Sequence, residues 1–127
     1  MKVKEIMKKV VTIDRKATIK HAASLMSKKN IGCLVVVECD LIVGIITERD
    51  IIKYISHSNY IHASVEDIMT HRVIIIDAGA SVNEAADAMF QNKIKKLPVV
   101  ENSKLVGIVT ATDIIANADD IDEPFLF

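Results

Sequence analysis

Cysteine is scarce. The chain has only Cys33 and Cys39, and a disulfide framework needs more of them behind a secretory signal. The opening Met1-Lys2-Val3-Lys4-Glu5 does not read as such a signal, so both cysteines are expected to be reduced thiols of a cytoplasmic protein. Long apolar runs are also missing. No stretch approaches the ~18 residues of a membrane span. Charge of one sign is missing too. Sixteen Lys and Arg stand against 17 Asp and Glu, for a net charge of -1. No block of five or six like charges occurs, which argues against a nucleic-acid arm or a membrane-seeking patch. Lys8-Lys9, Lys28-Lys29 and Lys95-Lys96 are only doublets, of the kind usually found solvated.

Catalytic signatures are lacking as well. His21, His57, His62 and His71 form no His-x-x-x-His or Glu-x-x-His pair suited to a metal. There is no nucleophile elbow and no phosphate-binding P-loop. The expectation is a protein that is not an enzyme and that needs no metal or cofactor.

What the sequence does have is itself, twice. Half of its residues are hydrophobic, enough for one ordinary core or two small ones. Shifted by 63 residues, the stretch from Val10 to Ile52 overlays Val73 to Ile115 without a gap, with 19 of 43 positions identical. Ahead of each copy, Glu5-Ile6-Met7 matches Asp67-Ile68-Met69 with a one-residue slip.

Each copy reads in one order. A β-branched run, Val10–Ile13 or Val73–Ile76, suits a strand. Thr18 or Ser81 then stands as N-cap of an amphipathic helix. Its inward face is Ile19, Ala22, Ala23 and Met26, or Val82, Ala85, Ala86 and Met89. Two apolar runs follow as a hairpin, Leu34–Val37 with Leu41–Thr47, or Leu97–Val100 with Leu105–Thr110. A last helix spans Glu48–Ser56 or Ala111–Asn117. The fold class is therefore α/β (α+β-like), with two β-α-β-β-α repeats. Expected boundaries are residues 1–60, residues 61–118 and an acidic, apolar tail at 119–127.

Thr47 and Asp50, and likewise Thr110 and Asp113, fall where a strand passes into a helix. Thr-x-x-Asp there is close to a capping box. It is equally suited to ligand binding, because an ionised Asp accepts from two hydroxyls, such as those of a ribose. The residues alone leave both roles open, and the two are compatible. Gly44 and Gly107 allow a close backbone approach or an unusual turn.

Gly44-Ile45-Ile46-Thr47-Glu48-Arg49-Asp50 and Gly107-Ile108-Val109-Thr110-Ala111-Thr112-Asp113 resemble the Gly-x-x-Thr/Ser-x-x-Asp ending of cystathionine-β-synthase-type (CBS) domains. Leu97-Pro98-Val99-Val100 resembles the strand before that ending, and the Glu5 and Asp67 tripeptides resemble the short entry helix. The likeness runs from about Lys2 to about Ala118. It implies a tandem pair related by pseudo-twofold symmetry, with two clefts that take an adenosine compound: AMP, ADP, ATP or S-adenosylmethionine. It also implies a homodimer and a regulated partner protein.

Carried over residue by residue, one cleft would join Thr47, Arg49 and Asp50 to Val73, Ile74, Ile75, Lys95, Lys96 and Pro98. The other would join Thr110, Thr112 and Asp113 to Val11, Thr12, Ile13, Gly32 and Cys33. Only the first then has local cations for phosphate. In the second, Val35 stands where the first has Pro98. The second cleft is expected to be empty, to take an uncharged adenosine end, or to borrow charge from a dimer partner. The competing expectation is a structural, dimerising module without ligand. Phe125, Leu126 and Phe127 are expected to dock on a partner subunit.

Overall fold

The computed structural model describes residues 1–58 and 62–120. The expected tail contact of Phe125, Leu126 and Phe127, and residues 59–61 of the connection between repeats, lie outside them. The elements run β1 (Thr12–Asp14), α1 (Ile19–Lys29), β2 (Cys33–Glu38), β3 (Leu41–Thr47) and α2 (Glu48–His57), then β4 (Ile76–Asp77), α3 (Val82–Asn92), β5 (Lys96–Glu101), β6 (Lys104–Thr110) and α4 (Ala111–Ala116). Short 3-10 turns at Val3–Glu5 and Val65–Asp67 precede the two repeats, and a third, Ala118–Asp120, follows α4. Both repeats are thus β-α-β-β-α.

The first repeat forms a three-stranded sheet, β1-β2-β3. β1 lies parallel to β2, and β2 antiparallel to β3, from Cys33 opposite Thr47 to Glu38 opposite Leu41. The hairpin loop is two residues, Cys39 (φ 50°) and Asp40 (φ 66°). Two positive φ values are what a type I′ turn needs to match the twist of its strands. α1 starts where Thr18 accepts the His21 N–H at 3.0 Å, a cap worth about 1 kcal/mol. It ends at Asn30 in the left-handed conformation. Ile19, Ala22 and Met26 bury the expected face against Leu34 and Val36 of the sheet, while Ala23 is half-buried.

The second repeat repeats this plan. β4-β5-β6 form its sheet, Asn102 (φ 52°) and Ser103 (φ 66°) its turn, and Ser81 caps α3 by accepting the Glu84 N–H at 3.0 Å. Val82, Ala85, Ala86 and Met89 are all buried against Leu97 and Val99. The sheets differ at one edge. Val35 N–H donates to the Val11 carbonyl at 3.1 Å. Pro98, its counterpart, has no N–H to give. β4 accordingly keeps two residues where β1 has three. The first strands are shorter and later than the β-branched runs suggested: Val10 and Val11 lead into β1, and Val73, Ile74 and Ile75 lead into β4.

The chain divides into two packed units whose limits are offset from the sequence repeats: Val11–Val73, and Met1–Val10 with Ile74 onward. Each repeat's entry segment belongs to the other repeat's unit. Within Val11–Val73, Val65 N–H donates to the Ala17 carbonyl (2.8 Å), Ile19 N–H to Ala63 (2.9 Å), and Thr70 and Ile45 exchange bonds of 2.9 and 3.0 Å. Val65 and Met69 join that unit's core. Side chains add to the docking. Glu66 accepts from Lys16 at 2.8 Å and Arg15 at 2.5 Å, and Arg15 also pairs with Glu38. The bonds from Lys16 and Arg15 hold the Glu66 carboxyl below its ordinary range, and the bond to Glu66 raises Arg15.

In the other unit Val3 N–H donates to Ala80 (2.9 Å), Val82 N–H to Met1 (3.0 Å), and Lys8 and Ile108 exchange bonds of 2.8 and 3.0 Å. The ion cluster has no counterpart there, since Ala78, Gly79 and Lys4 occupy the matching positions.

The two glycines of the repeated motif follow from this docking. A Cβ on Gly107 would stand 2.7 Å from Met7 Sδ and 2.9 Å from the Lys8 carbonyl oxygen. One on Gly44 would meet Met69 Cγ at 2.9 Å and the Thr70 oxygen at 3.0 Å. Neither glycine has positive φ, so close approach, not an unusual turn, is what each provides. Overpacking of this kind costs about 1–3 kcal/mol.

A fragment of residues 11–73 carries a whole packed unit, whereas residues 1–60 lack the segment that closes β3. The 11–73 fragment is expected to melt cooperatively and at a higher temperature than 1–60 when both are followed by circular dichroism. A 1–60 fragment of equal or greater stability would contradict these limits.

Candidate functional site

Strand β3 hands over to α2 at Thr47, whose extended backbone (φ -119°, ψ 166°) makes it the N-cap. Its hydroxyl accepts the Asp50 N–H at 3.3 Å, and Asp50 Oδ2 accepts the Thr47 N–H at 2.9 Å. This is a reciprocal capping box. It fixes the Asp50 carboxylate at the mouth of a ten-residue helix while using one of its two oxygens. Oδ1 has no partner among the described residues, and the side chain is half-buried. Capping and ligand recognition are thus compatible at Asp50, since a carboxylate with a spare oxygen can still accept hydroxyls.

Asp113 has the same box and a different environment. Oδ2 accepts from Thr110 N–H and from the Thr110 hydroxyl, both at 2.9 Å. The Asp113 N–H donates to Thr110 Oγ1 at 3.1 Å. The remaining oxygen, Oδ1, lies 3.4 Å from Lys8 Nζ. Asp113 is only 3% exposed, so this carboxylate is enclosed and engaged on both oxygens. The expectation that it stands without a local cation is corrected. Lys8 read as one of a solvated doublet, and only the docking of the entry segment on β6 brings it to Asp113.

The two expected residue sets each draw on both units, and within its own unit each residue has definite neighbours. In Val11–Val73, the Gly32 carbonyl accepts the Glu48 N–H at 3.0 Å, and Cys33 is the register partner of Thr47. Both therefore border the Asp50 cap. Arg49 is exposed on the first turn of α2 with no ion-pair partner among the described residues. Val11 is half-buried, Thr12 exposed, and Ile13 a core residue at 5% exposure. Val73, half-buried, ends this unit.

In the other unit, the Lys95 carbonyl accepts the Ala111 N–H at 2.8 Å and Lys96 is the register partner of Thr110. Both lysines border the Asp113 cap. Ile74 packs on that unit's core, Ile75 and Thr112 are exposed, and Pro98 is fully buried. No group of three or more His, Cys, Asp or Glu is arranged to hold a metal among the described residues. No helix among them is long and apolar enough to cross a membrane.

Two grooves run between helices and reach the first residue of each capped helix, Glu48 and Ala111. One, of about 360 Å³, is lined by Met26, Ile31, Ile51 and Ile52 between α1 and α2. The other, of about 250 Å³, is lined by Met89, Ile94, Ile114 and Ile115 between α3 and α4.

Two β-α-β-β-α repeats, each passing into its last helix through a Gly-x-x-Thr-x-x-Asp cap, define a tandem-repeat module. The family model "CBS domain" matches residues 3–57 and again 65–120, and the chain belongs to the CBS domain family. The CBS domain-containing protein YhcV of Bacillus subtilis is 33% identical over 109 residues, which is 85% of this chain and 78% of YhcV. The inosine-5'-monophosphate dehydrogenase of Thermoplasma acidophilum is 39% identical over 111 residues. That match takes in 87% of this chain but 22% of the enzyme. Among solved structures, the CBS domain pair of protein MJ0100, in complex with 5'-methylthioadenosine and S-adenosyl-L-methionine, superposes with a TM-score of 0.84 at 32% identity, covering 94% of this chain and 97% of that one.

Asp113 is buried and accepts two bonds from Thr110, whereas Asp50 is half-buried and accepts one from Thr47. In urea denaturation, Asp113→Ala is expected to lose about 1–3 kcal/mol, the cost of leaving partly buried donors unpaired. Asp50→Ala should lose about 1 kcal/mol, the worth of a cap. Equal losses, or the reverse order, would contradict the two environments.

Proposed function

We propose that this chain is a regulatory, non-catalytic cytoplasmic module that binds an adenosine-containing ligand and passes the resulting shift in population to a partner protein. The observation that carries the reading is the Asp50 carboxylate. It is fixed by its cap, half-buried, and left with one oxygen unengaged among the described residues. A ribose presents two hydroxyl donors, and such a carboxylate is their natural acceptor. The mouth of α2 adds a positive partial charge, although its Glu48 and Asp50 N–H groups are already held by Gly32 and Thr47. The adenosine ligands named for the MJ0100 pair support the same class.

AMP, ADP, ATP and S-adenosylmethionine are the candidates. Arg49, Lys95 and Lys96 are the proposed phosphate cations, each to be tested by substitution with Ala. Val73, Ile74, Ile75 and Pro98 complete the proposed set.

Calorimetric titration with AMP, ATP and S-adenosylmethionine tests this. At least one should bind, and Asp50→Ala should weaken it tenfold or more. A ligand at 100 times its Kd should also add about 2.7 kcal/mol of stability. Silence from every adenosine compound would leave the competing reading, a dimerising module without ligand.

The apolar helix faces support a homodimer under either reading. Ile52 and Ile55 on α2 are 66% and 49% exposed, and Ile115 on α4 is 74% exposed, an unusual display for a small soluble surface. Ile52→Glu with Ile115→Glu should halve the mass seen by light scattering. An unchanged mass would place the dimer contact elsewhere, and a monomeric wild type would remove it.

A further inference from the structure

We infer that this chain senses through a single carboxylate, and that the residue each entry segment lays beside its cap decides which one. The inference rests on the adenosine reading above and adds the element that makes the two repeats unequal. Lys8 and Ile108 exchange two backbone bonds, and Thr70 and Ile45 exchange the same two. Ile45 and Ile108 are equivalent in the repeat, and each stands two residues before its capping threonine. Lys8 and Thr70 therefore hold one structural position, in different units.

From that position a lysine reaches the cap. Lys8 Nζ lies 3.4 Å from Asp113 Oδ1, the oxygen that Thr110 leaves over. With Lys8 in place, Asp113 Oδ1 already faces a cation at 3.4 Å, and a neutral sugar hydroxyl has to compete with that ion pair beside a buried carboxylate, where charges are screened less than in water. In Val11–Val73 the occupant is a threonine. Its side chain carries no charge, and Asp50 keeps its oxygen unengaged among the described residues. Lys8 thus serves as an internal partner of Asp113 and not as a cation for ligand phosphate. Its 73% exposed side chain shows that the lysine needs no enclosing pocket to make this contact, so the same residue at position 70 can do likewise.

The test is calorimetry of the full chain with AMP, with melting curves to confirm folding. Wild type should bind one AMP per chain. Thr70→Lys should weaken binding tenfold or more, while Thr70→Val, matched in shape and uncharged, should stay within twofold. Lys8→Met should keep the Asp50 site within twofold and, by freeing Asp113 Oδ1, admit a second AMP per chain. Two equivalent AMP molecules per wild-type chain would overturn the inference. So would a Thr70→Lys variant that binds like wild type, or a tenfold loss in Lys8→Met, which would make Lys8 a phosphate ligand. These failures are distinct from failure of the adenosine reading. In that case wild type itself stays silent to AMP, ATP and S-adenosylmethionine, and the inference falls with it. If the reading stands and the inference alone is wrong, wild type binds AMP but either takes two equivalent molecules or loses nothing on Thr70→Lys.

Discussion

The paired N–H···O bonds between Thr70 and Ile45, and their counterparts between Lys8 and Ile108, are what the rest of the structure depends on. Each pair seats an entry segment along the free edge of a hairpin, where an open strand would otherwise present unpaired backbone groups. The seat is possible because a glycine replaces a side chain there. It brings two apolar residues into the core of the sheet it closes: Val65 and Met69 in one unit, Val3 and Ile6 in the other. A domain of about sixty residues has little core to spare, so this contribution bears directly on stability.

The same docking decides the chemistry at the caps. Both helices begin with a Thr-x-x-Asp box closed by the same two backbone-to-side-chain bonds, and Asp113 also accepts from the Thr110 hydroxyl. The larger difference is the residue arriving from far away in the chain. Lys8 comes from more than a hundred residues upstream of Asp113, and Thr70 arrives beside the hairpin that leads to Asp50. A repeat that looks symmetric in its motif is unequal in its electrostatics because its entry segments differ.

Much of this was legible in the residues. The 63-residue overlay fixed the order of elements, and the alanine-bearing helix faces, the N-caps Thr18 and Ser81 and the hairpins stand where periodicity put them. The capping geometry of Thr47 with Asp50 was readable because a capping box is local in sequence. Lys8 was not readable, since nothing local distinguishes a lysine that pairs with a distant aspartate from one that is merely solvated. The packed units were hidden for the same reason. Repeat boundaries are properties of the sequence, whereas Val11–Val73 is a property of long-range bonds. The shortness of β4 could have been foreseen from Pro98, whose missing N–H removes a ladder bond.

The exchange of entry segments can be observed in solution through nuclear Overhauser contacts of the two motif glycines. The account predicts cross-peaks from the Gly107 α-protons to the Met7 side chain, and from the Gly44 α-protons to the Met69 side chain. Cross-peaks joining Gly44 to Met7 and Gly107 to Met69 would mean that each repeat keeps its own entry segment, and would contradict it.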